Sequence, residues 1–343
     1  MVVLALKRNT LLGYLCVISG AILWGAIPIF SRQLYAVGYT PGMVSSMRSF
    51  IAALLSLLAL IACGKIKKVR VKDIPFFIVY GVFAIGLTFF LYATSTKMLP
   101  TAMAAILLYT GPAFVNIIDR IFYKDPITRV KLVALLCTFG GCALVVRAYD
   151  LGNFRSNLIG IAVGLLSGLC YSMTTVLSRR AQSSYSGGTN AWLIMTFGAL
   201  PFLFVQPPWT VTIKAAGQVE MIVLLAVIST FIPYTLYLHG LGYGIDKGFA
   251  SIVATLEPVT ATVMGALTFG DRLEAVQITG IIIVMAGMTL PIFLGKISPA
   301  VSIHKNKAPY SQPDIGTFLK ARLRLLENCG EHAERRDEAR RSG

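Results

Sequence analysis

Ten times along its 343 residues the chain runs apolar for about 17–22 residues, close to the roughly 20 that an α-helix needs to cross a bilayer. The stretches fall at about 11–31, 42–62, 74–96, 101–118, 130–147, 157–178, 190–206, 219–239, 248–269 and 276–294. Each is solidly apolar rather than alternating, which favours helices over a β-barrel. The first is too long for a cleaved leader, and no small-residue cleavage site follows it. Of all residues 56% are hydrophobic and 13% charged. A soluble domain has about 25% charged residues, so this chain lacks the polar surface to stay in water. The expected fold is an all-α integral membrane protein with ten transmembrane helices.

Two of these stretches look like copies of one another. Residues 102–144 and 248–290 align without a gap at an offset of 146. Ala104/Ala250, Ile106/Ile252, Pro112/Pro258, Asp125/Asp271, Val130/Val276, Gly141/Gly287 and Leu144/Leu290 coincide. A proline inside a helix removes a hydrogen bond and clashes with the preceding turn, so both copies should break, at Gly111-Pro112 and Glu257-Pro258. The repeat extends to whole halves of five spans, 11–147 and 157–294, flanked by an N-terminal segment 1–10 and a basic tail 295–343. Because five is odd, the halves lie in opposite orientations, as two inverted-topology five-helix repeats. Broken helices in an inverted repeat free backbone groups to line a cavity near the midplane, a plan that gives alternating access.

The formal net charge is +16, and its distribution sets topology rather than nucleic-acid binding. With a cytoplasmic N-terminus, loops outside the tail place 14 Lys and Arg inside and 6 outside, as the positive-inside rule requires. Ten spans then put both termini in the cytoplasm. The tail carries Phe318, Leu319, Arg322, Leu323, Leu325 and Leu326, the pattern of a short amphipathic helix. That segment is either a solvated tail or a surface that docks on anionic lipid or a partner. The six cysteines fall in spans or on the cytoplasmic side, which disfavours a disulfide framework.

Glu257 ranks first among the functional candidates. A carboxyl at mid-membrane beside a helix break normally faces the bundle interior or a watery cavity, where it could couple transport to a proton; the alternative is a structural carboxyl at the kink. The other copy has Gly111 at this position. Arg48, about one turn into the second span, either snorkels to the outer surface, binds a carboxylate or pairs with Glu257. Trp24, Tyr92, Tyr109, Tyr171, Tyr234 and Tyr237 supply rings with a polar edge, suited to amphipathic solutes or cations. Asn116 and Thr110 either donate to a solute or bond between helices. No phosphate-binding glycine loop, metal-ligand cluster or nucleophile–base motif is present, so neither a cofactor nor catalysis is expected.

The run Ala250-Ser251-Ile252-Val253-Ala254-Thr255-Leu256-Glu257-Pro258, then Phe269-Gly270-Asp271-Arg272-Leu273 and the segment from Gly280 to Gly287, resembles the second repeat of EamA-type exporters of the drug/metabolite transporter superfamily. That family usually carries Glu where this chain has Asp271. Ala104-Ala105-Ile106-Leu107 through Gly111-Pro112 to Tyr123-Lys124-Asp125 fits the same pattern, and Trp24-Gly25 and Arg48 resemble family positions. The resemblance covers residues 11–294. It implies a multi-pass carrier of the plasma (inner) membrane, as a monomer or homodimer, that exports a small organic metabolite or drug. The solute site should lie between the halves, near spans 1, 3, 4, 6, 8 and 9. Proton antiport, exchange and facilitated diffusion all remain open, as do import of a similar solute and a non-transporting scaffold acting through the tail.

Overall fold

The computed structural model describes residues 2–63, 69–99, 101–148, 158–213, 216–270 and 272–293. Asp271, the loop charges Lys65, Lys67, Lys68, Arg155 and Lys214, and the tail 295–343 lie outside the described residues. Among the described residues the regular structure is helical, and eight stretches are long and apolar enough to cross a membrane. They are α1 (Asn9–Ala36), α2 (Pro41–Ala62), α3 (Val71–Met98), α4 (Met103–Phe122), α6 (Leu158–Gln182), α7 (Gly187–Val205), α8 (Gly217–Leu241) and α9 (Lys247–Phe269). Two further apolar helices, α5 (Arg129–Val145) and α10 (Ala275–Phe293), occupy the places of the fifth and tenth expected spans.

Local sequence explains where helices begin. Thr40, Thr128, Ser186 and Asp246 each cap a helix by accepting a bond from the backbone N–H three residues on. The helices then pack in pairs that exchange when the halves are swapped: α1 on α8 matches α6 on α3, and α4 on α6 matches α9 on α1. The pairs α2–α7 and α5–α10 map onto themselves. Small residues permit these contacts, since apolar helices in lipid associate chiefly by close packing. Gly141 and Gly280 face each other across α5 and α10; a Cβ at Gly141 would stand 2.7 Å from Val284 and 2.8 Å from the Gly280 carbonyl. Leu136, Leu267 and Ile282 point outward from α5, α9 and α10 and are more than half exposed. A girdle of that kind suits lipid rather than water.

The breaks in α4 and α9 fall earlier than the prolines themselves. Helical structure lapses at Tyr109-Thr110 and Ala254-Thr255, then resumes at Gly111 and Leu256. The reason is that a proline disrupts the turn before it and is well tolerated in the first turn of the next helix. Thr110 and Thr255 behave alike at the two breaks, each donating its hydroxyl at 2.6 Å to the carbonyl three residues back, which its own backbone N–H also reaches. Further interruptions lie at Gly25 in α1 and Leu177 in α6. The third and eighth spans each carry a π-helical turn, Val82–Leu87 and Val227–Phe231. These wide turns free carbonyls for neighbours: Ala84 accepts from the Thr174 hydroxyl, and Ser229 from Arg48.

Gly141→Val should separate α5 from α10 and lower the thermal midpoint of the purified protein, by a stability loss of about 1–3 kcal/mol. Gly140, where an added Cβ meets nothing within 4 Å, should accept Ala with no loss. Equal damage from both substitutions would contradict this packing.

Candidate functional site

Glu257 is the second residue of the half-helix Leu256–Phe269, in the first turn, where unpaired backbone N–H groups gather. The backbone carbonyl of Glu257 accepts the Thr260 hydroxyl at 2.9 Å. Thr260 in turn presses against Gly25, where a Cβ would collide with its side chain. That contact brings the break in α1 against the start of this half-helix and sets Trp24 beside the site.

Within electrostatic reach of Glu257 lie Tyr92 of α3, Tyr109 of α4, Cys142 of α5, Tyr171 of α6, Tyr234 of α8 and Arg48 of α2. Tyr92, Tyr109, Tyr171 and Glu257 are deep in the bundle, yet each keeps accessible surface. Side chains so placed are candidates to line a space between the helices. Gly111 makes room for one of its walls, since a Cβ there would come 2.7 Å from the Tyr171 ring.

Behind this lining stands a buried aromatic wall. Trp24 meets Tyr234 edge-on at 4.9 Å between centroids and Tyr237 at 5.4 Å. The Tyr237 hydroxyl pairs with the Thr175 hydroxyl at 2.7 Å, tying α8 to α6. Phe89 reaches Tyr234 at 6.4 Å and carries the Arg48 guanidinium 4.4 Å over its face. Arg48 is 8% exposed, so it does not snorkel. It donates from Nε to Thr230 Oγ1 at 2.9 Å and from Nη2 to the Ser229 carbonyl at 3.4 Å, both in the π-turn of α8. No salt bridge joins it to Glu257: the two charges share a neighbourhood without closing on each other.

The structure therefore gathers Trp24, Arg48, Tyr92, Tyr109, Gly111, Tyr171, Tyr234, Tyr237 and Glu257 around one junction, with Thr110 at the break before Gly111. Asn116 stands apart. It is buried and donates to the carbonyls of Pro112 at 2.8 Å and Gly248 at 3.4 Å, bonding α4 to α9. Phe89, Ser229 and Thr230 were missed by sequence reading. An apolar ring and two small hydroxyl residues have no compositional mark, and a π-turn has no motif.

A second polar cluster lies at the end of the bundle carrying the α4–α5, α6–α7 and α8–α9 loops. Arg179 donates to Asp119 at 2.8 Å and to Asp125 at 2.5 Å. Lys247, 7% exposed, donates to Ser178 Oγ at 2.9 Å and to Gln182 Oε1 at 2.6 Å. Lys131 pairs with Asp246 at 2.8 Å. Sequence reading gave these basic residues only a topological meaning, because α4 and α6 continue a full turn beyond their apolar runs. At the opposite end Arg147 pairs with Glu274.

Comparison with known proteins agrees with this architecture. The chain matches the model of the EamA-like transporter family over residues 11–147 and 158–293. An uncharacterized transporter of Archaeoglobus fulgidus is 27% identical over 199 residues, 58% of this chain and 70% of the relative. The threonine/homoserine exporter RhtA of Salmonella typhimurium is 25% identical over 270 residues, 76% and 86% of the two chains. One crystal structure superposes with a TM-score of 0.69 at 16% identity, covering 84% of this chain and 98% of the other. At that identity the likeness speaks for the fold alone.

Arg48→Lys retains the charge but loses the planar fork that serves Thr230, Ser229 and Phe89 together. It should lower the thermal midpoint by the equivalent of about 1–3 kcal/mol. An unchanged midpoint would mean that this guanidinium is not anchored in the bundle.

Proposed function

The chain belongs to the EamA-like transporter family, and from that premise we propose that it is a ten-helix secondary exporter of small zwitterionic or amine-bearing solutes, working by alternating access in the plasma membrane. It is a multi-pass membrane transporter and not an enzyme. The proposed arrangement has two inverted repeats, 11–147 and 157–294, with the segments 1–10 and 295–343 in the cytoplasm. The excess of Lys and Arg on one set of loops supports that orientation.

One observation carries the solute class. A carboxylate, Glu257, and a guanidinium, Arg48, share one aromatic-walled neighbourhood without a salt bridge between them. An amine fits between Glu257 and the tyrosine faces, where carboxylate attraction and cation–π contact act together. An acidic group of the same solute would meet the donor nitrogens that Arg48 does not spend on α8, for Arg has five donor hydrogens. Each state of the carrier binds the solute through the same groups, and unequal affinity in the two states drives release on one side. The threonine and homoserine named for RhtA are solutes of this shape, which supports the reading.

Glu257 is also the proposed proton carrier. A carboxyl that is emptied of its amine cation in a low-dielectric cavity can take a proton instead, so that solute leaves as a proton enters. The breaks beside it, at Ala254-Thr255 and at Gly25, are the places where the surrounding half-helices can move.

Reconstituted in liposomes, the protein should move a free amino acid faster than its N-acetyl derivative, and faster still with an imposed pH gradient. Glu257→Gln should abolish the effect of the gradient while the protein remains folded. Unaltered acceleration in this variant would remove Glu257 from coupling. A reporter fused after Gly343 should be active in the cytoplasm; activity on the outside would reverse both repeats.

A further inference from the structure

The polar cluster at the loop end is made by residues that the solute site does not use. Three of its members, Ser178, Arg179 and Gln182, sit on one short segment, Ser178–Gln182, set off from the rest of α6 by the break at Leu177. That segment is bonded to α4, the α4–α5 loop, α8 and α9. Arg179 holds Asp119 at the end of α4 and Asp125 in the following loop, and lies 4.4 Å over the Tyr123 ring. Ser178 and Gln182 hold Lys247, the first residue of α9. Gln182 donates to the Leu238 carbonyl of α8 at 2.8 Å, and Asn116 closes α4 on α9 through Gly248.

Three of the joined segments are half-helices next to a break: Gly111–Phe122, Ser178–Gln182 and Lys247–Val253. The bonds therefore lock together the pieces that hinge on the solute site. We infer that the Asp119–Arg179–Asp125 bridge and the Lys247–Ser178–Gln182 contact form a releasable clasp, which closes the path from the solute site to the cytoplasm. This rests on the transporter reading with its cytoplasmic loop end.

Two observations favour a releasable clasp over a permanent staple. First, the bonding is incomplete: Asp119 Oδ1 and Arg179 Nε are buried and have no hydrogen-bond partner among the described residues. An unspent buried donor and acceptor make a costly closed state, as expected of a contact that must also open. Secondly, the repeat accounts for only part of the cluster: Asp125 has its counterpart in Asp271, and Arg179 over Tyr123 has one in Arg32 over Phe269. At the offset of 146 the counterparts of Asp119 and Asn116 are Gly265 and Thr262, and one step beyond the alignment that of Lys247 is Thr101. Asp119, Asn116 and Lys247 are thus peculiar to this end of the molecule.

Ser251 gives a site to test the clasp. It lies one turn beyond Lys247 on the same helical face and is 5% exposed. The full-length protein carrying Ser251→Cys, in inside-out vesicles, is treated with a membrane-impermeant maleimide, and labelling of the parent without that cysteine is subtracted. Slow labelling is expected. Adding Arg179→Gln, or Asp119→Asn with Asp125→Asn, should speed it on the order of tenfold, as loss of charged hydrogen bonds shifts the closed state toward the open one. Arg179→Lys should fall between. Unchanged labelling in folded variants, or loss of the fold in both, would overturn the proposal and leave the cluster a structural staple. Because the readout is access rather than flux, failure here is separable from failure of the proposed solute or direction.

Discussion

In a bilayer every backbone N–H and C=O must find a partner inside the protein, so any irregularity in a spanning helix has to be answered locally. Much of this structure follows from how that demand is met. At the Tyr109-Thr110 and Ala254-Thr255 breaks the threonine hydroxyls add a second bond to the Leu107 and Ile252 carbonyls. The π-turns survive because Thr174 and Arg48 reach across from neighbouring helices. Interruption and compensation together place polar chemistry at a depth where unbroken helices would offer only side chains facing lipid or one another.

The helices were legible in sequence because lipid demands long apolar runs, and nothing in the chain competes with that pattern. The two proline breaks were legible to within two or three residues; the shortfall arises because the steric effect of Pro112 and Pro258 acts on the preceding turn. Glu257 stood out as a carboxyl in an apolar run, and the rings around it could be named but not ranked. Their division into a lining of Tyr92, Tyr109 and Tyr171 and a buried wall of Trp24, Tyr234 and Tyr237 depends on rotation about each helix, which composition does not encode. Arg48 shows the same limit. Its position along α2 suggested the surface, whereas the π-turn opposite, unmarked in sequence, draws it inward.

The charges suggested an orientation in the membrane and gave no hint of the structure they make. Arg179, Lys131 and Lys247 were read only through the positive-inside rule, and nothing in that rule tells a solvated loop charge from one buried against another helix. Asp119 lay just past the apolar run of the fourth span, where the helix continues. The proposed solute site and the loop-end cluster are thus joined by the same half-helices: Gly111–Phe122 carries Asn116 and Asp119, and Lys247–Val253 leads from Lys247 to the break before Glu257. A movement that opens one must be felt at the other.

The account depends most on Glu257 lining a space that solute can enter. Its reactivity can be read directly by treating the protein in membranes with an apolar carbodiimide and locating the modified peptide by mass. Modification of Glu257, slowed when a transported amino acid is present in excess, is the predicted result. A carboxyl that stays unmodified, or one whose modification no solute slows, would contradict a solute site at the break in α9.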